Sequence, residues 1–377
     1  MPVRWLVWSV ALVAGIAGGI GIAVAREAPA TTPQGIPASK TISNPRLDTG
    51  TPLSTVAPAF TLTDQFGKTV SLSSFRGKVV VLSFNDPQCT TICPLTTTAM
   101  IEAKKLLGPA AADVQLVGVG ANPEATQVKW VRDYSQAHGM LHKWLFLNGS
   151  LPRLKRVWGD YGIAAAVVQG AIDHTPATFV IDPQGRETRL FISLMSYSSV
   201  PQLAKVMARA IAADLPGHPQ VRDTTSLATI KPITPRDTTR LSLAKGNGSF
   251  PLGPGMGPHL ILFYDTWDPG IAADLKSLNR YAALDSLAPL NVIDELNVEP
   301  FVSTLRTFVG RLHLEYFNGV DPDGRVADGY GVQDSPWLTL VSDSGKFLWS
   351  YDVAVKGWPS TRSLVSHVHA ALARAQG

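Results

Sequence analysis

The sequence predicts a mixed α/β chain in which two copies of one layered domain follow an N-terminal membrane-spanning helix. Three observations carry that reading. Continuous apolar runs such as Val79–Phe84 and His259–Tyr264 suit strands buried on both faces. Amphipathic helical segments alternate with such runs, as in layered α/β domains. Finally, Thr175-Pro176 before the apolar run 177–182, with the turn Pro183-Gln184-Gly185, recurs in order. Its counterpart is Ser335-Pro336 before Trp337–Val341, with a turn at 342–345.

From Trp5 to Ala25 the chain carries 21 residues without a charge, flanked by Arg4 and Arg26. At about 1.5 Å per helical residue, that length crosses a hydrocarbon core of roughly 30 Å. The alternative is a cleaved signal peptide with Ala23-Val24-Ala25 as its cleavage box, but such apolar regions run only about 7–15 residues. We therefore expect an uncleaved anchor, residues 1–26 being a cytoplasmic tip and transmembrane helix. Either reading puts the rest outside the cytoplasm, so a single-pass protein of the cell membrane with extracytoplasmic domains is expected. Residues 27–54, rich in Pro, Ala, Thr and Ser, read as an extended tether.

The first domain is expected over 55–215. Phe60–Thr63 and Lys68–Leu72 flank Asp64-Gln65-Phe66-Gly67 as a β-hairpin. The buried strand 79–84 is followed by a Cys/Pro turn and a helix over about 94–107, ended by Gly108. A second buried strand spans 114–119 and a second helix 124–138. A short strand near 144–147 and a helix at 151–161 precede the strand 177–182, and an amphipathic helix over 200–213 closes the domain. Residues 216–240, punctuated by Pro216, Pro219, Pro232 and Pro235, read as a linker. The second domain, 241–377, has a strand at 259–264, helices to about 283, over 301–312 and over 363–373, and a strand at 337–341.

Composition excludes several classes. Hydrophobic residues make up 45% and charged residues 16%, the latter well below the usual level of about 25%, so the chain is not disordered. A formal charge of +4 without basic runs or nucleic-acid motifs gives no argument for nucleic acid, and none is expected as a partner. With two cysteines, the chain is neither a disulfide scaffold nor a four-thiolate iron–sulfur protein.

Both cysteines fall in one place, Cys89 and Cys93, where the first buried strand gives way to a helix. On a helical turn this spacing sets them on one face about 6 Å apart, where two sulfurs can share a metal or close a disulfide. A helix N-terminus stabilises the thiolate, the form that does both. Two thiolates suit Cu(I), and an added imidazole would extend the site to Cu(II). Structural zinc wants four protein ligands, and no further cysteine exists. Among eight histidines, His138 and His142 flank a helix end and read as caps, and His218 lies in the linker. His174 stands in Asp173-His174-Thr175-Pro176, before the strand that would lie beside the cysteine turn. Taken alone it could be structural or a ligand.

The anchor, Phe75-Arg76-Gly77-Lys78 before an apolar strand, the Cys89–Cys93-Pro94 motif and the Asp173-His174 pair together resemble the Sco/SenC family over about residues 55–215. That resemblance implies a membrane-anchored, copper-binding, thioredoxin-like protein that helps assemble the binuclear copper centre of cytochrome c oxidase. It implies that Cys89, Cys93 and His174 bind copper, as Cu(I) or Cu(II), and that the cysteines cycle between dithiol and disulfide. The implied partner is the copper-centre subunit of the oxidase, with another thiol–disulfide protein as an alternative. Two departures stand out. Asp86-Pro87-Gln88 precedes Cys89 where the family often has Thr-x-Cys-Pro, and Thr175-Pro176 resembles the cis-proline position of thioredoxin-like reductases. The rival function is thus a thiol–disulfide oxidoreductase using Cys89 and Cys93. A peroxidase fails on spacing, since the PxxxTxxC pattern would place its cysteine one residue beyond Cys93.

The second domain resembles a thioredoxin fold without its chemistry. In Trp267-Asp268-Pro269-Gly270-Ile271, Asp268 and Ile271 occupy the positions of the redox cysteines, and Pro336 matches the cis-proline. A redox-silent domain that folds alone and positions the first is expected.

Overall fold

The computed structural model describes residues 48–168, 171–193, 196–222, 231–284 and 287–376. The membrane-spanning segment expected at 5–25 and most of the tether lie outside the described residues, as does 223–230 of the linker. Among the described residues no helix is long and apolar enough to cross a membrane.

The first half runs β1 (Thr51–Pro52), β2 (Thr61–Thr63), β3 (Thr69–Ser71), β4 (Val79–Asn85), α1 (Ile92–Leu106), β5 (Val114–Gly120) and α2 (Val128–Ala137). It continues through β6 (Leu145–Leu147), α3 (Leu151–Asp160), β7 (Ala165–Val168), β8 (Ala171–His174), β9 (Ala177–Ile181), β10 (Glu187–Ile192) and α4 (Val200–Asp214). One sheet has the order β1-β10-β9-β4-β5-β6, and β2-β3 and β7-β8 form separate hairpins. Strands β4, β5 and β6 are parallel, whereas β9 and β10 run antiparallel.

The second half holds β11 (Thr239–Ser242), β12 (Ser249–Leu252), β13 (His259–Tyr264), α5 (Ile271–Ala282), β14 (Leu290–Asp294) and α6 (Val302–Arg311). Then come β15 (Phe317–Val320), α7 (Arg325–Gly329), β16 (Trp337–Val341), β17 (Phe347–Asp352), α8 (Val353–Lys356) and α9 (Thr361–Gln376). Its sheet order is β15-β14-β13-β16-β17, again with three parallel strands and two antiparallel ones. The order β6-β5-β4-β9-β10 of the first half is therefore repeated strand for strand, the topology of an internal duplication.

Strand β4 shows why its residues are apolar without interruption. Val79 and Val81 point to one core with α1 and α4, while Val80, Leu82 and Phe84 point to the other, with Leu154 and Trp158 of α3. The period-2 pleat thus feeds two apolar clusters from one run. In β13 the same alternation separates Ile261 and Phe263 from Leu260, Leu262 and Tyr264. Ile261 and Phe263 join the cluster that also contains Val79, Val81, Met100 and Met207, so a single apolar layer is continuous across both sheets. The two halves belong to one packed unit.

Two expectations need correction. The helix expected from 124 begins only at Val128, because the Asn122 side chain accepts the N–H groups of Glu124 and Ala125 and holds this stretch in a turn. The cis bond among the described residues is Ser335–Pro336, and Thr175–Pro176 is not cis. There the Ala177 N–H folds back onto the Thr175 carbonyl at 2.9 Å and the chain enters β9 directly.

Candidate dithiol and metal centre

The Cys89–Cys93 loop leaves the C-terminal end of β4, where side chains rather than a ladder must hold the backbone. Asp86 does this: its Oδ1 accepts the Gln88 N–H and the Asn122 Nδ2 amide, both at 2.8 Å, and its carbonyl accepts the Cys89 N–H at 3.2 Å. Helix α1 then begins at Ile92, so Cys93 sits in its first turn and faces the core. Cys89 is partly exposed, and both cysteines are free thiols.

The two sulfurs have opposite electrostatics. The Cys89 thiol is held below its ordinary value by hydrogen bonding to Cys93 and then, against burial, by Thr91, whose N–H donates to Sγ at 3.4 Å. Cys93 is pushed well above its ordinary value by burial, then by Cys89 and Asp86. The pair therefore presents one ready nucleophile or thiolate ligand and one guarded thiol.

His174 ends β8, and the β7-β8 hairpin carries it to the cysteines. Its Nε2 lies 3.6 Å from Cys93 Sγ. Nδ1 is 3.2 Å from the Thr175 carbonyl, a contact that assigns the proton to Nδ1 and leaves the Nε2 lone pair facing sulfur. Burial lowers the imidazole's pKa, against the Thr175 carbonyl and Asp86, which favours this neutral form. Two soft sulfurs and one imidazole are a donor set for a soft, low-coordination metal ion. Among the described residues no three such side chains are already spaced as a finished cage, so an ion would have to draw this trio together.

The centre opens into a cavity of about 650 Å³ lined by Cys89, His174, Ile172 and Pro176 from the first half, and by Asp334 and Val355 from the second. The sequence singles out Cys89, Cys93 and His174, which the fold brings together, but not Asp86, Asn122 or Asp334. An acid three residues before the first cysteine was a visible signal for Asp86. Nothing local points from Asp334 to a site formed so far away in the chain.

The other histidines are elsewhere. His138 is buried against Tyr134 and Trp267, with ring centroids 4.2 and 4.3 Å away, and burial lowers its pKa to about 3. His142 stacks on Phe66. In the second half, Asp268 is buried and its Oδ2 accepts the Asp265 N–H at 3.0 Å and the Ser335 hydroxyl at 2.7 Å. Burial pushes it up to about 7, and buried Asp265, Asp294 and Glu295 are raised further by burial and by neighbouring acids. Ile271, at the second cysteine-like position, is buried at the start of α5.

Residues 48–211 match the family model SCO1/SenC. The SCO1 protein homolog of Bacillus subtilis is 32% identical over 99 residues, covering 26% of this chain and 51% of that protein. A putative peroxiredoxin of Porphyra purpurea is 27% identical over 153 residues, covering 39% of this chain and 68% of that protein. The chain thus spans about half the length of the first relative. The structure of copper-bound ScoI from Bradyrhizobium japonicum is 23% identical and covers 42% of this chain and 99% of that one, with a TM-score of 0.37.

Proposed function

We propose that this protein binds one copper ion through Cys89, Cys93 and His174 on the extracytoplasmic face of the cell membrane and delivers it during assembly of the binuclear copper centre of cytochrome c oxidase. The observation that carries the reading is the 3.6 Å approach of His174 Nε2 to Cys93 Sγ within the segment that matches the SCO1/SenC model. Thiolates hold Cu(I), and the imidazole adds the borderline nitrogen donor that Cu(II) requires. The ion is cargo here, and the partner is the oxidase's copper-centre subunit. The segment 5–25 anchors the chain. Anaerobic copper titration of the chain from residue 48, parent and single variants, tests the ligand set. Stoichiometric binding abolished by Cys89→Ser or Cys93→Ser supports it, and unchanged binding in those variants overturns it. Labelling of Cys89 in intact cells by a membrane-impermeant thiol reagent, after reduction, tests the side.

A second reading, a thiol–disulfide oxidoreductase acting on exported proteins, is favoured by the asymmetry of the pair. The partly exposed, lowered Cys89 thiol is suited to attack a disulfide, and buried Cys93 to resolve the mixed disulfide. Imidazole is dispensable for that exchange, so a His174→Ala strain with normal oxidase assembly would favour it. The peroxidase reading still fails on the position of Cys93.

A further inference from the structure

The cysteine-free half reaches the dithiol centre through one side chain. Thr90, between the two cysteines, donates its hydroxyl to Asp334 Oδ1 at 2.6 Å. That carboxylate is itself fixed. The same oxygen accepts the Ser335 N–H at 3.0 Å, and the Ser335 hydroxyl donates to Asp268 Oδ2, which also accepts the Asp265 N–H. An unbroken chain of hydrogen bonds thus runs from the cysteine loop to the buried acid that stands where a thioredoxin would carry its first cysteine. Thr91, the next residue, donates its N–H to Cys89 Sγ, so whatever fixes Thr90 also fixes the peptide that orients this sulfur. Asp334 further lines the cavity with Asp86 and Asp173, and among the described residues no lysine or arginine lines it. A loop that must present two sulfurs in one geometry gains from such a restraint, because freedom in the loop would be lost again on binding.

We propose that Asp334 is a positioning residue of the dithiol centre: its carboxylate, by holding Thr90, sets the Cys89–Cys93 loop in its reduced, metal-accepting form. The degenerate site of the second half is thereby reused as a brace for the working site of the first. The metal part of this inference rests on the copper reading above, but the brace on the dithiol does not.

The test uses the chain from residue 48 with Asp334→Ala, Asp334→Asn and Thr90→Val, each checked for a parent-like circular dichroism spectrum. Each is equilibrated in glutathione buffers, where oxidised glutathione takes two electrons and two protons from Cys89 and Cys93 as their disulfide forms. Loss of the brace in the Ala and Val variants should favour the disulfide about tenfold, a fall in reduction potential of about 30 mV. Cu(I) affinity by competition should weaken about tenfold in the same two variants. Asp334→Asn keeps the acceptor oxygen without the charge and should stay within about twofold of the parent. Parent-like potentials in Asp334→Ala and Thr90→Val would overturn the proposal, and so would an Asn variant as impaired as the Ala one. Failure of the parent to bind Cu(I) would sink the copper reading instead and leave the potentials to decide the brace.

Discussion

His174 Nε2 faces Cys93 Sγ at 3.6 Å while His174 Nδ1 is turned to the Thr175 carbonyl, so the imidazole is aimed at the sulfur by the carbonyl of the next residue. A histidine held in this way has its ligand nitrogen selected before any ion arrives. His174→Ala should therefore weaken Cu(II) binding by at least about tenfold more than Cu(I) binding, because two thiolates suffice for the softer ion. Competition titrations in the two oxidation states measure the difference. Equal Cu(II) affinity in variant and parent would make His174 a structural residue.

The two thiols should differ in reactivity. Cys89 is partly exposed and its thiol is lowered, while Cys93 is buried and raised. Limited iodoacetamide treatment of the reduced protein at pH 7 should modify Cys89 at least about ten times faster than Cys93. Mass spectrometry of the peptide carrying both resolves the order by fragmentation. Preferential labelling of Cys93 would invert the assignment of attacking and resolving thiols.

Much of this arrangement was readable from the sequence. Strands β4 and β9, both wholly buried, and helix α1 announced themselves by unbroken apolar runs and by the Pro and Gly that bound them. Strand β14 did not: its five buried residues include Asn291 and Asp294, and polar groups buried at strand ends look like loop in a sequence. The β7-β8 hairpin was equally silent, since Ala166, Val167 and Val168 are exposed and show no alternation. Without that hairpin the sequence sets His174 only before a strand expected beside the cysteine turn, and its role as a ligand follows from resemblance alone. The Thr90–Asp334 contact joins positions 244 apart, and no local pattern encodes it.

The halves are held by another carboxylate. Asp328 of α7 accepts the Ser196 hydroxyl and the Tyr197 N–H at 2.7 Å each, the Ser198 N–H at 3.1 Å, and the Ser198 hydroxyl. All lie buried, so truncation leaves several donors without an acceptor. Asp328→Ala should cost about 3 kcal/mol of unfolding free energy, and Asp328→Asn less. Because the apolar layer is continuous across both sheets, the parent should unfold in a single transition. Two separate transitions in the parent, with Asp328→Ala affecting neither, would show that the clamp carries no stability.

Buried acids in the second half should give stability a pH dependence of definite sign. Asp321 is fully buried, its carboxyl is pushed up to about 7 by burial, and its Oδ2 accepts the Val326 and Ala327 N–H groups at 2.9 and 2.8 Å. Its ordinary value is 3.8, so between about pH 4 and 7 the folded chain holds a proton that the unfolded chain has released. The stability linked to that proton is fully present below about pH 4 and is lost as the pH rises through 7, a change on the order of 4 kcal/mol. His138 opposes it: with its pKa lowered to about 3, it adds stability as the pH rises toward its ordinary 6.5. The melting curve of the parent mixes these two with the other raised acids, Asp265, Asp268, Asp294 and Glu295, and only a difference isolates Asp321. Asp321→Asn keeps an oxygen for both N–H groups and removes the ionisation, so it should match the parent near pH 3.5 and exceed it in melting temperature near pH 8. A constant offset between the two proteins across that range would mean that Asp321 ionises normally in the folded state.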